Sequence, residues 1–135
     1  MSEIITDKLT GKTAAGNVTI TDGSATMQLQ AGVSKSWASF GMDGTAAIDE
    51  SLNTSSLTDN STGDSTIAFT SDMNTTTYCV SVAGDYDTGS QMANGIYIPS
   101  NLKRIASSLR TRCTDSTGGA NDNPVACWTI MGDLA

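Results

Sequence analysis

Short runs in which apolar and polar residues alternate dominate this sequence. The clearest stretch is Ser56 to Phe69, where two alternating runs flank a polar centre and place Leu57, Ile67 and Phe69 on one side. The centre holds Asp, Asn and Gly residues between positions 59 and 64, which favour turn conformations. The pattern predicts a β-hairpin with one buried face.

The same alternation continues through the chain and predicts further strands. They lie near residues 34–42, 45–52, 55–60, 64–70, 76–84, 94–98, 107–114 and 124–131. In the strand from Thr76, the side chains of Tyr78, Val80 and Val82 point to the core. The last two strands are predicted to pair antiparallel, and the apolar spacing in 101–109 indicates one helical turn.

Residues 1–33 differ from the remainder and are predicted to form an N-terminal arm, with a head domain over 34–135. Two brief alternating runs, 17–21 and 26–30, flank an Asp-Gly-Ser turn. A lone two-stranded ribbon is marginal in water, so the arm needs a partner surface. The candidate contact residues are Val18, Ile20, Met27 and Leu29.

Composition favours an all-β fold with a thin core. Ser, Thr, Gly and Asn make up 58 of the 135 residues, and only 7 residues are aromatic. We therefore predict an antiparallel β-sandwich or jelly-roll-like head that buries little apolar surface, which favours oligomerisation. The net charge of −7 argues against nucleic-acid binding, since phosphate neutralisation needs clustered Lys and Arg.

Catalytic chemistry has few candidates. The chain has no His, which removes the commonest general base and most catalytic zinc sites. A glycosidase would need two facing carboxylates, and the available ones lie in turns or on adjacent strand positions: Asp49, Glu50, Asp85 and Asp87. The segment 85–89 matches a calcium loop only superficially. We expect no enzymatic activity, no bound metal and no cofactor.

The three cysteines lack metal-ligand spacing. If the last two strands form a hairpin, Cys113 and Cys127 lie opposite each other, and a disulfide between them is one possibility while free thiols are the other. Cys79 is predicted to be a small buried residue.

Three further features bear on binding. Four basic residues within ten positions form either a patch for acidic ligands or ordinary solubilising charges: Lys103, Arg104, Arg110 and Arg112. The two tryptophans, Trp37 and Trp128, are expected in the core or a subunit contact rather than under a sugar. Candidate receptor-facing residues lie beside Gly-rich loops at strand ends: Tyr86, Asp87 and Tyr97.

The run from Trp37 to Met73 resembles a module of tail-fibre and appendage proteins of tailed bacteriophages, especially marine and cyanobacterial phages. The segments 32–40 and 44–55 carry most of the likeness, and the ending 126–133 is similar to the module's last strand. The opening 2–16 is similar to the leader of such proteins. The chain departs from the pattern at 41–43, and 85–104 does not align.

The resemblance implies a homotrimeric virion protein, a short tail-fibre subunit whose arm binds another phage protein of the tail, baseplate or capsid. Its β head would contact a host glycan or protein. The alternative is a capsid decoration protein that stabilises the phage head, and a glycan-cleaving enzyme is a third hypothesis. The first residues lack the order of a secretory signal and no apolar run could insert into a membrane. We expect synthesis in the host cytoplasm and a place in the virion.

Overall fold

A computed structural model describes residues 8, 18–22, 24–29, 32–84, 95–98, 104–115 and 117–135. The chain divides into two compact units, Met1–Val33 and Ser34–Ala135. Every element in the described residues is a β-strand, all strand pairs are antiparallel, and the predicted all-β class is confirmed. No helix in this part of the chain has the length and apolarity that a membrane crossing requires.

The first unit holds the predicted ribbon. Strand β1 (Thr19–Asp22) pairs with β2 (Ala25–Gln28), with Ile20 opposite Met27. The amide of Leu29 donates to the carbonyl of Val18 at 2.7 Å, which extends the pairing by one step. Ile20 is 46% exposed, while Val18 and Leu29 are half-buried. Their predicted role as contact residues stays a prediction.

The described residues of the second unit form eight strands, and their positions lie close to those of the eight strands that the alternation predicts. They are β3 (Ser36–Gly41), β4 (Ala47–Leu52), β5 (Thr54–Ser61), β6 (Asp64–Phe69), β7 (Cys79–Gly84), β8 (Gly95–Tyr97), β9 (Ser108–Thr114) and β10 (Ala126–Met131). They form two four-stranded sheets. Sheet I has the order β4-β3-β10-β7, and sheet II has the order β5-β6-β9-β8.

The hydrophobic core draws on both sheets, as in a β-sandwich. Sheet I contributes alternate residues of β3 and β10, and sheet II contributes alternate residues of β6 and β9. Trp128 stacks on Phe69 with ring centroids 5.6 Å apart, and Phe69 meets Tyr78 edge-on at 6.0 Å. The Tyr78 hydroxyl donates to the carbonyls of Ile105 and Ser108, so it ties the start of β7 to sheet II. Burial raises the pKa of Tyr78 to about 12.

The β5–β6 hairpin is confirmed, with Leu57 opposite Ile67. Its turn is held from outside the hairpin. The Gly63 amide donates to Asp122 Oδ1 at 2.6 Å, and the Gly63 carbonyl accepts from the Cys113 amide at 2.7 Å. The positive φ of Gly63, 68°, suits the sharp reversal. A single turn thus fixes the hairpin against the loop that follows β9.

Two details of the strand prediction are wrong. Strands β9 and β10 do not pair: β9 lies between β6 and β8, and β10 lies between β3 and β7. The segment between them crosses from one sheet to the other, with the Asp115 carboxylate accepting from the amides of Thr117 and Gly119. The predicted helical turn is also absent in the described part of 101–109, where Ile105 and Ser108 close a tight turn into β9.

Candidate functional site

The outer face of sheet I carries outward-facing apolar side chains, among them Trp37, Leu52 and Met131. Burial alternates along β3 and β10, so their odd-numbered residues point away from the core. The strand register aligns Leu52, Trp37 and Thr129 in one row across three strands. We call this surface the Trp37 face; its residues are Trp37, Ser39, Leu52, Cys127, Thr129 and Met131.

Charges lie at the margin of the Trp37 face. Leu52 is 48% exposed and Met131 is 44% exposed, and Trp37 is partly exposed between its neighbours. The acidic residues Asp49 and Glu50 lie on edge strand β4, where the Ser39 hydroxyl donates to Asp49 Oδ2 at 3.4 Å. Glu50 lies opposite Ser39 in the register, on the same side of β4 as Leu52, so the β4 side of the Trp37 face is acidic.

The Trp37 face is shallow. Beside it lies a depression of about 120 Å³, lined by Ser81, Val82, Ala83, Cys127, Trp128 and Thr129. Pockets for small molecules are usually larger, roughly 300–1,000 Å³. The geometry therefore fits a partner that presents an extended surface better than a small molecule that needs enclosure.

The two tryptophans lie on opposite sides of sheet I. Trp128 is 2% exposed and lies in the core, as predicted. Trp37 does not lie in the core, because Ala38 and Phe40 are the buried residues of β3 and strand geometry turns Trp37 outward; its other expected place, a subunit contact, stays a prediction. Trp37 is thus a binding candidate that its sequence neighbours could have indicated.

The cysteines also differ from the prediction. All three are free; Cys113 is buried, whereas Cys79 and Cys127 are exposed. The hairpin on which the Cys113–Cys127 disulfide depended does not form, because these residues lie in different sheets. Cys79 is not buried, because its neighbours Tyr78 and Val80 take the inward positions of the strand.

We expect two thiols of the folded protein to react rapidly with a disulfide reagent and the third to react slowly. Burial, and secondarily the charge of Asp122, raises the pKa of Cys113 to about 11, so only about one molecule in a thousand carries a Cys113 thiolate at pH 8. Titration with a chromogenic disulfide reagent should release two equivalents rapidly and the third only in denaturant. A Cys113→Ala variant should keep the fast phase and lose the slow one. Three fast equivalents in native protein would contradict the burial of Cys113.

An ion pair dominates the outer face of sheet II. Arg110 Nε donates to Asp64 Oδ1 at 2.6 Å and Arg110 Nη2 donates to Asp64 Oδ2 at 2.7 Å. Asn60 Nδ2 donates to the same carboxylate at 3.1 Å. Asp64 is 4% exposed, and the hydrogen bonds from Arg110, with a smaller effect of Asn60, hold its pKa below the ordinary value. The Arg110 guanidinium is thus engaged in a contact between β6 and β9 and is not free to bind a ligand.

Asp64 should make the fold sensitive to acid. The pKa of Asp64 is lower in the folded protein than its ordinary value of 3.8. Its contribution to the free energy of unfolding is therefore complete above pH 3.8 and is lost as the pH falls through the folded-state pKa. At pH 7, Asp64→Asn should lower the free energy of unfolding by about 1–2 kcal/mol. Urea denaturation from pH 7 to pH 2.5 should show this difference shrinking below pH 4. A difference that stays constant with pH would contradict the assignment.

The remaining predicted binding residues are not brought together by the described structure. Arg104 Nη1 donates to the Tyr78 carbonyl at 2.9 Å, so Arg104 and Arg110 both serve intramolecular contacts, and Lys103 lies outside the described residues. Tyr86 and Asp87 also lie outside them, as does the segment 85–89. Tyr97 is in β8, opposite Arg112. Within the described residues, no three His, Cys, Asp or Glu side chains are placed to hold a metal ion.

Comparisons with known proteins return no match: no family model, no curated protein and no solved structure is similar to this chain.

Proposed function

We propose that this chain is a non-catalytic bacteriophage virion protein, a short tail-fibre or appendage subunit. Residues 1–33 would attach it to another virion protein, and the sandwich would contact the host surface. The observation that carries the binding role is the Trp37 face: a shallow surface with a partly exposed tryptophan at its centre and the carboxylate of Glu50 on its β4 side. The phage assignment rests on the resemblance of residues 37–73 to tail-fibre modules.

A non-catalytic role is supported by how three of the described acidic groups are used. Asp64 binds Arg110, Asp115 accepts from the amides of its own loop, and Asp122 accepts from the Gly63 amide. These carboxylates order turns and strands. A glycosidase would instead leave two carboxyl groups facing a substrate.

Microscopy of virions tests the phage role. Antibody against the protein should label the tail or its appendages in purified particles of the phage that encodes it. Labelling on the faces of the capsid would overturn the appendage role in favour of capsid decoration. An absence of label, with the protein also missing from particle digests, would overturn the virion role.

A matched pair of variants tests the host-contact role. Trp37→Ala should weaken adhesion of the purified protein to host cells by at least about tenfold, since aromatic side chains commonly dominate contact surfaces. Thr58→Ala, at an exposed site on sheet II, should leave adhesion unchanged. Equal adhesion of both variants, with folding verified, would contradict a role for the Trp37 face.

A further inference from the structure

Strand β7 forms one edge of sheet I. It pairs with β10 over all six of its residues, from Cys79 opposite Met131 to Gly84 opposite Ala126. In the described part of the chain no strand pairs with its other side. An edge strand presents unpaired amide and carbonyl groups, which are a template for another strand unless the protein protects them.

The other three edges of the sandwich carry recognisable protection. Edge strand β4 has a register shift opposite Ser39 and Phe40 and carries Asp49 and Glu50. Edge strand β5 has two register shifts and carries Asp59. Edge strand β8 is only three residues long. Bulges, charges and short length are the devices that keep edge strands from pairing with other chains.

Strand β7 has none of these devices in its own sequence or pairing, and β8, the edge of sheet II, lies near it without pairing with it. Its sequence, Cys-Val-Ser-Val-Ala-Gly, contains no charge and no proline, and its pairing with β10 has no register shift. Val80 and Val82 are half-buried on the inner side, so the strand is fixed in an extended form by packing. Cys79, Ser81 and Ala83 are exposed and small, so their side chains leave room for another strand.

The self-complementarity of two identical edges favours a second copy of this chain as the partner. Two chains that each carry a net charge of −7 repel each other, and a neutral contact strand minimises the repulsion. Two identical edges also match in length and apolar pattern when they run antiparallel about a twofold axis. A threefold ring of edge contacts would need two different open edges on each chain, and the described sandwich offers only β7 without protection.

We infer that β7 pairs antiparallel with β7 of a second copy, which joins the two copies of sheet I into one eight-stranded sheet. Pleat continuity then places both Trp37 faces on the same side of the joined sheet. This inference concerns self-association alone and is independent of the phage role. It is a twofold arrangement, distinct from the homotrimer that the resemblance implies.

Molar mass of the full chain in solution tests the pairing. Sedimentation equilibrium at about 50 μM should give twice the chain mass of 13.9 kDa. Ser81→Lys puts a charge at the middle of the open edge and places two lysines close together across the axis, so it should weaken self-association by at least about tenfold. The matched change Ser56→Lys, at an exposed position on protected edge β5, should leave the mass unchanged.

Each alternative result is decisive. A monomeric or trimeric wild-type chain would overturn the β7 pairing. So would a Ser81→Lys chain that stays dimeric, or a Ser56→Lys chain that dissociates equally. Urea midpoints of both variants verify folding, and neither side chain packs in the core. None of these results bears on where the protein lies in the virion. The β7 pairing and the phage role can therefore be refuted independently of each other.

Discussion

Replacing Gly63 with alanine is expected to destabilise the sandwich by about 3 kcal/mol or more. A Cβ atom at this position would lie 2.5 Å from the Cys113 carbonyl oxygen and 2.8 Å from the Asn121 amide nitrogen. Both are backbone atoms, so neither can move aside as a flexible side chain would. The positive φ of 68° adds the strain that a non-glycine residue carries in the left-handed region.

Gly118 provides the matched control. It also has a positive φ, 84°, but a Cβ there would have no atom within 4 Å. Gly118→Ala should therefore cost only the backbone strain, about 1–2 kcal/mol. Urea denaturation of the three proteins measures both values. Equal losses for the two variants would show that the contact between the Gly63 turn and the loop after β9 is absent in solution.

Replacing Trp128 with alanine is expected to lower the free energy of unfolding by about 3–5 kcal/mol. Trp128 is almost fully buried, stacks on Phe69 and lies in β10, which has a strand on each side. Its removal would leave a cavity in the core beside Phe69. A loss of this size is comparable with the whole stability of many small domains. We therefore expect the variant to be only partly folded at 25 °C.

Two other substitutions make the Trp128 prediction specific. Trp37→Ala removes the same side chain from the outer face of the same sheet and should cost no more than about 1–2 kcal/mol, because less apolar surface returns to water. Trp128→Phe retains most of the volume and removes an indole N–H that has no partner among the described residues. Trp128→Phe should therefore lower the free energy of unfolding by less than Trp128→Ala does. A Trp37→Ala loss as large as that of Trp128→Ala would contradict the assignment of the two faces.

The strands could be predicted from the sequence because alternation reports directly which side of a strand is buried. Leu57, Ile67 and Phe69 all lie inward as the pattern indicates. The pairing of the strands could not be predicted in this way, because alternation does not indicate which other strand lies next to a given strand. Strands β9 and β10 are consecutive and both alternate, yet the segment between them crosses to the other sheet. The possible Cys113–Cys127 disulfide, one of the two states that the sequence left open, depended on this pairing.

The candidate site depends on pairing and was therefore harder to predict. Trp37 could have been placed outward, since Phe40 lies three positions away and cannot share its face in a regular strand. The row that joins Leu52, Trp37 and Thr129 could not, since it requires the strand order and the register. The open edge of β7 has the same origin: Val80 and Val82 look like residues of a central strand, and only the topology places them at an edge.

The β7 pairing would make binding through the Trp37 face bivalent. Two weak contact faces on one rigid sheet would engage a repetitive surface together, and the second contact would form at a high effective concentration. A repeated host glycan or an ordered capsid lattice would both benefit from such an arrangement. Adhesion that falls steeply when the chain dissociates would support this link.

The central claim is that the β7 edge, with which no second strand pairs in the described residues, is completed by a second copy. Its most direct test is the molar mass of the full chain over a dilution series from about 50 μM to 1 μM. The account predicts a species of twice 13.9 kDa at the high end, lost in Ser81→Lys and retained in Ser56→Lys. A stable monomer at every concentration would contradict it.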